Sequence, residues 1–282
     1  MNYHEDYESV SASMLKVLMK SPLLYYMVFV LRSIKLPESK DLQFGSMFHT
    51  SVLEPDIFED RYVTLPAFEF DPGNVTAKGE RSDSKATSYY KSRVKEFSLA
   101  NVGKTFVSQD DLNLVSAMTR AAWSHKDLNA MLKARGDIET PIYWEDRIKK
   151  RCKPDKVIQD YHVILDLKTC DEANPANFAN SCGKFGYFLQ AAWYREALLE
   201  TTGHDYRFIF AAISKKPPHE VGLYELKTED IAWAESKAEQ LVDELIGRTK
   251  TGDWLSSWQT GINEISLPRW VRNDWYLLEE VE

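Results

Sequence analysis

The stretch "YHVILDLKTC", residues 161–170, places Asp166 and Lys168 two positions apart in an otherwise apolar run. In an extended strand alternate side chains share a face, so this acid and this base point the same way, while Ile164 and Leu167 point to opposite faces. A core strand carrying two opposite charges has two readings. One is a salt bridge at a strand end; the other is a metal site with a lysine beside it.

The run just before it, "RIKKRCKPDKVIQ" (147–159), also reads as a strand. A two-residue turn at Asp160-Tyr161 sets Asp155 directly opposite Asp166, so Asp155, Asp166 and Lys168 converge on one patch of sheet. Opposed like charges destabilise a sheet unless something positive lies between them. Lys168 offers partial relief, and a hard divalent cation such as Mg²⁺ offers more. Pro154 inside this strand implies a bulge, a feature that re-aims side chains. "ETPIYWED" (139–146) adds a third strand through a turn at Glu145-Asp146, which completes an antiparallel meander and places Glu139 opposite Cys152, on the face away from Asp155.

Outward from the meander the pattern is helical. "SASMLKVLMKSPLLYYMVF" opens on a capping serine and predicts a helix bent near Pro22, and "LQFGSMFHTSVLEP" predicts a second. Residues 66–88, rich in Pro, Gly, Ser and charge, read as a mobile loop, either a disordered excursion or a flap over a ligand. Further helices are expected at 86–99, 109–134, 184–203 and about 229–247, with strands at "YRFIFAAIS" and "VGLYEL" between the last two. The chain is read as one domain: a mainly helical part (1–135), a core (136–248) and a tail (249–282). Of its eight tryptophans, Trp254, Trp258, Trp270 and Trp275 lie in the tail, where they suit either packing on the domain or a subunit contact.

Composition narrows the class. With 282 residues, 44% apolar and 12% aromatic, the chain has ample material for a core. Its three cysteines, Cys152, Cys170 and Cys182, form no C-x-x-C pair, which speaks against a disulfide framework or a zinc ribbon. No stretch has the length of a membrane span, so a cytoplasmic protein is expected. The net charge of −8 excludes a broadly basic surface. Any nucleic-acid contact must therefore be local, and Arg147, Lys149, Lys150, Arg151 and Lys153 are the one dense basic run, read either as a solvated face or as a phosphate contact.

"KPDK" followed after ten residues by "DLK" resembles the PD-(D/E)xK nuclease signature. Two neighbours extend the likeness to its RecB-like branch: the Q-x-x-x-Y pattern of "LQAAWY", with Gln190 and Tyr194 one helical turn apart, and His49 in "GSMFHTSVLEP". In order and spacing the motifs over residues 10–215 are similar to the exodeoxyribonuclease VIII (RecE-type) family. The resemblance implies a restriction-endonuclease-like α/β core, a central mixed sheet with an antiparallel meander flanked by helices. It implies that Asp155, Asp166, the Leu167 carbonyl and His49 hold Mg²⁺, with Mn²⁺ as a substitute. Lys168 would orient or deprotonate the attacking water, and Gln190 and Tyr194 would position the Lys168 region or the DNA backbone. Read without the family, His49 is better taken as a satisfied core histidine, and Gln190 and Tyr194 are equally a buried polar pair bonded to backbone. Glu139 matches an acidic residue of the family, against the register above. Iron–sulfur relatives use one early and three late cysteines; none follows Cys182 here, so no cluster is expected.

The implied activity is Mg²⁺-dependent 5′ to 3′ degradation of one strand at double-stranded DNA ends, leaving a 3′ single strand for an annealing protein in phage-type recombination. A homo-oligomer, a ring-shaped tetramer threaded by DNA, is implied with it. Two alternatives keep the same residues: an endonuclease of restriction or repair type, and a DNA-end-binding module whose site is disused.

Overall fold

The computed structural model of the chain describes residues 6–37, 39–66, 73–81 and 84–268. In chain order these form helices α1 (Ala12–Lys20), α2 (Pro22–Tyr25), α3 (Lys40–Leu53) and α4 (Phe58–Arg61), strand β1 (Tyr62–Thr64), helix α5 (Ser88–Ala100), strand β2 (Thr105–Val107), and helices α6 (Gln109–Ser124) and α7 (Lys126–Lys133). The second half adds strands β3 (Asp137–Ile138), β4 (Ile142–Glu145), β5 (Lys149–Cys152), β6 (Lys156–Ile158) and β7 (Val163–Cys170), helices α8 (Pro175–Phe185) and α9 (Tyr187–Thr202), strands β8 (Arg207–Ser214) and β9 (Val221–Tyr224), and helix α10 (Thr228–Thr251).

The central sheet has the order β3-β6-β7-β8-β9. Only β7 and β8 run parallel; the other neighbours are antiparallel, so the sheet is mixed and carries the expected meander on one side. A parallel pair needs both faces covered. Val163, Leu165 and Leu167 lie in one apolar cluster with Met47 and Phe48 of α3, Met118 of α6 and Leu128 of α7. Ile164 lies in the other, with Leu15 of α1, Leu189 and Trp193 of α9, and Leu241 of α10. Asp166 and Lys168 therefore face the α1/α9 layer, while α3 covers the opposite face.

Helix boundaries follow local chemistry. Ser11 caps α1, and Ser21, extended and followed by Pro22 at the first helical position, separates α1 from α2 where a bend is expected. The predicted helix over 109–134 is two helices: His125 leaves helical geometry and its ring accepts from Leu128 N at 3.3 Å, capping α7. The predicted helix from Lys184 is likewise divided at Gly186, whose φ of 64° ends α8 and opens α9. Sequence pattern alone does not predict α8, because "NFANSCGKF" is poor in strong helix formers; Asn174 as cap and Pro175 behind it supply the start.

Two turns differ from expectation, with a consequence for the site. Three residues, Asp146 to Ile148, join β4 to β5, with Glu145 opposite Lys149. Between β6 and β7 four residues, Gln159 to His162, form the loop, and the register sets Lys156 opposite Leu165. Carried one step further, that register keeps Asp155 opposite Asp166. The pairs Ile138–Lys156 and Ile142–Cys152 lie in one continuous register. Pro154 therefore marks an interruption between β5 and β6, and no bulge residue is inserted there.

Part of the expected loop 66–88, namely 67–72 and 82–83, lies outside the described residues. Its described part holds a turn, with Thr76 N donating to Glu80 O at 2.7 Å, and buried Asn74 accepts from Thr87 Oγ1 at 2.6 Å. In the tail, Trp254 is buried and stacks on Tyr25 and Tyr26 at 5.8 and 5.1 Å, whereas Trp258 is exposed. Trp270 and Trp275 lie outside the described residues. Among the described residues no helix is long and apolar enough to cross a membrane.

Candidate active site

The continuous register places Glu139 where a two-residue turn at 145–146 does not. Glu139 N donates to Asp155 O at 3.1 Å, so the two residues are paired across the ladder. A shift of an odd number of positions exchanges the faces of a strand. Expected opposite Cys152 and turned away, Glu139 instead stands beside Asp155. Ligand atoms of His49, Glu139 and Asp155 lie within 4.8 Å of one another.

His49 reaches this point from α3, on the far side of the sheet. Its Nε2 is 2.9 Å from the Leu167 carbonyl oxygen and its Nδ1 is 3.4 Å from Asp155 Oδ1. Both ring nitrogens thus face acceptors. Burial would pull the imidazole pKa down, but the Asp155 carboxylate outweighs it and holds the value above that of an ordinary histidine. Asp155 Oδ2 accepts from Leu167 N at 2.7 Å. For Asp155, burial pushes the pKa up and is overcome by His49, Lys168 and that N–H, which together keep it below the usual carboxylate range.

Asp166 has the opposite fate. It is fully buried, and burial followed by the Asp155 charge pushes its pKa up to about 6 despite the neighbouring Lys168. Its Oδ1 accepts from Gln190 Nε2 at 2.7 Å, and the Lys168 ammonium pairs with Oδ2. Burial would lower the Lys168 pKa, but Asp166 and Asp155 outweigh it and hold Lys168 above the ordinary lysine value. Two carboxylates on one patch thus have their pKa values driven apart, a feature that clusters at functional sites.

Gln190 and Tyr194 divide their contacts. Gln190 turns to Asp166, while the Tyr194 hydroxyl donates to the Lys153 carbonyl at 3.4 Å, which ties α9 to the segment before Asp155. Tyr187, one turn before Gln190, carries the Lys168 ammonium 4.9 Å from its ring centroid. The helical spacing of 187 and 190 was the available signal for Tyr187.

The basic run is not a free phosphate-binding face. Lys150 is fully buried, its ammonium held by Asp146 at 2.9 Å and by Glu196, and so cannot reach a phosphate. Arg151 is also buried, 3.9 Å from Asp6. Arg147 pairs with Glu239 and Asp243, Lys149 with Glu8 at 3.4 Å, and Lys153 with Glu139.

The residues present fit a divalent cation. Asp155, Glu139 and the Leu167 carbonyl are hard oxygen donors, His49 adds one nitrogen, and the neighbouring Asp166 carboxylate adds a further oxygen donor.

Residues 11–254 match the family model described as "PDDEXK-like domain of unknown function (DUF3799)". The chain belongs to this PDDEXK-like family. Its description names a motif of the type that the sequence spells as Pro154-Asp155 and Asp166-Leu167-Lys168. A candidate exonuclease from Eubacterium rectale has a similar solved structure, with a TM-score of 0.54 and 18% identity over 95% of this chain and 94% of that one. A phage-related exonuclease from Haemophilus somnus 129PT aligns with a TM-score of 0.28 and 15% identity, covering 65% of this chain and 94% of that one. No curated protein matches the chain significantly in sequence. The PDDEXK-like fold accounts for the mixed central sheet flanked by helices.

Proposed function

We propose that this chain is a Mg²⁺-dependent exodeoxyribonuclease that degrades one strand from the ends of linear double-stranded DNA. The observation that carries the reading is the convergence of Asp155, Glu139 and His49 beside the Asp166–Lys168–Gln190 cluster. Asp155, Asp166, the Leu167 carbonyl, His49 and Glu139 would hold the cation. When bound, Mg²⁺ supplies Lewis-acid stabilisation of phosphate charge and lowers the pKa of a water. Lys168, kept as an ammonium by the two carboxylates, is suited to orienting water and offsetting charge that develops on the phosphate, and less to taking a proton. Gln190 fixes the Asp166 carboxylate, and Tyr194 fixes the backbone at Lys153.

Support for a nucleic-acid substrate comes from a cleft of about 580 Å³ lined by Tyr7, Phe29, Arg32, Lys35 and Tyr194, among others. The Arg32 guanidinium lies 4.4 Å from the Tyr7 ring centroid. Cations interleaved with aromatic rings are the chemistry that phosphates and bases require. Following the resemblance, we take the polarity as 5′ to 3′, the product as a 3′ single strand for an annealing partner, and the working form as a homo-oligomeric ring.

The test is end-labelled linear duplex against covalently closed circular duplex, with Mg²⁺ or with EDTA. Loss of label from the 5′ end of the linear DNA, with the circle intact and EDTA inhibitory, is expected. Cutting of the circle would instead identify an endonuclease. Intact linear DNA in the presence of Mg²⁺ would leave a binding module.

A further inference from the structure

We propose that Lys16 of α1 is a second phosphate-contacting residue of this site, its ammonium binding a non-bridging oxygen of the nucleic-acid strand held beside Lys168. The inference rests on the nuclease reading and adds to it a residue outside the family motif.

The placement is specific. The Lys16 side chain crosses the α8–α9 junction: a Cβ on Gly186 would stand 3.4 Å from both Cγ and Cε of Lys16. From there its ammonium reaches 5.4 Å from the centroid of the Tyr187 ring. That ring also carries the Lys168 ammonium, at 4.9 Å. Two cations therefore share one aromatic ring, with one carboxylate nearby, and Asp166 is already engaged by Lys168 and Gln190.

Among the described residues Lys16 makes no ion pair and no hydrogen bond. The charged groups that face it are Lys168, which opposes its charge, and Asp166, which favours it; burial, then Lys168, push its pKa down to about 8. A partly buried ammonium without an anion is unfavourable to hold. An anion arriving beside Lys168 would relieve it, and a phosphodiester at this site is such an anion. Were Lys16 needed only for its stem over Gly186 and Tyr187, methionine would serve as well.

The test measures DNA binding in EDTA as a function of salt, and turnover in Mg²⁺, for wild type, Lys16→Met and Lys16→Arg. For one lost phosphate contact, Lys16→Met should reduce the slope of log affinity against log salt by about 1. Its kcat/KM should fall about 10- to 100-fold, the range of a hydrogen bond to a charged group, and Lys16→Arg should keep the wild-type slope. A packing role would not move the slope. If Lys16→Met retains the wild-type slope, even with reduced activity, Lys16 is a packing residue and the proposal fails. Wild-type protein that neither binds nor cuts DNA would overturn the nuclease reading itself, which is a different result.

Discussion

Gln190 on α9 donates a hydrogen bond of 2.7 Å to the fully buried carboxylate of Asp166 on β7. The contact orients a carboxylate whose other oxygen faces Lys168, so Gln190 sets the geometry of the acid and the lysine together. Outer partners of this kind typically contribute 10- to 100-fold to metal affinity or activity.

Gln190→Ala is accordingly expected to lower Mg²⁺-dependent turnover by about 10- to 100-fold, with the Mg²⁺ concentration for half-activity raised and the circular dichroism spectrum unchanged. A Mg²⁺ titration of activity checks it. Unchanged half-activity would mean that Asp166 is held by Lys168 alone.

Glu139 provides a second test, because the resemblance points to it while the expected register turns it away, and the observed register sets it beside Asp155. Glu139→Gln keeps the backbone bond to Asp155 and removes a charge facing both the cation site and Lys153. Weaker Mn²⁺ binding by calorimetry is expected, with the melting temperature close to wild type. Wild-type Mn²⁺ affinity would exclude Glu139 from the ligand set.

The pH dependence follows from the Asp155–Asp166 pair. Asp166 has its folded pKa raised, so its contribution to stability is present below its unfolded value of 3.8 and is lost as pH rises through about 6. Asp155 is lowered, so its contribution is present above the ordinary carboxylate range and is lost as pH falls through its folded value. A cation needs Asp166 ionised. The rise in melting temperature on adding Mg²⁺ should therefore be large near pH 8 and shrink below about pH 6. A shift of equal size near pH 5 would place the cation away from Asp166.

Glu196 is a stability test remote from the chemistry. Its carboxylate holds the fully buried Lys150 and accepts from Trp144 Nε1 at 3.2 Å. Glu196→Ala should cost about 3–5 kcal/mol, since it leaves a buried charge with only Asp146. The double variant Lys150→Met with Glu196→Leu should recover most of that loss. Urea denaturation measures both.

These residues also show how far the sequence reached. Asp155, Asp166 and Lys168 were legible because strand alternation and hairpin register are short-range rules, and His49, Gln190 and Tyr194 because they sit in family motifs. The continuous register past Pro154 was not legible, since one residue of turn length decides which face Glu139 takes. The fate of the basic run was hidden for a similar reason: Asp146 and Glu196, which bury the Lys150 charge, become its neighbours only through tertiary packing. Lys16 had no signal at all, being one lysine on an amphipathic helix until α9 brings Tyr187 beneath it.

The central claim is that the Asp155–Asp166–Lys168 patch is a cation-dependent phosphodiester-cleaving centre. Its most direct measurement is release of acid-soluble nucleotide from linear duplex DNA by wild type and by Asp166→Ala, each in Mg²⁺ and in EDTA. The account predicts release only by wild type in Mg²⁺, with Asp166→Ala folded and inactive. Release that persists in Asp166→Ala or in EDTA, or no release by wild type in Mg²⁺, would contradict it.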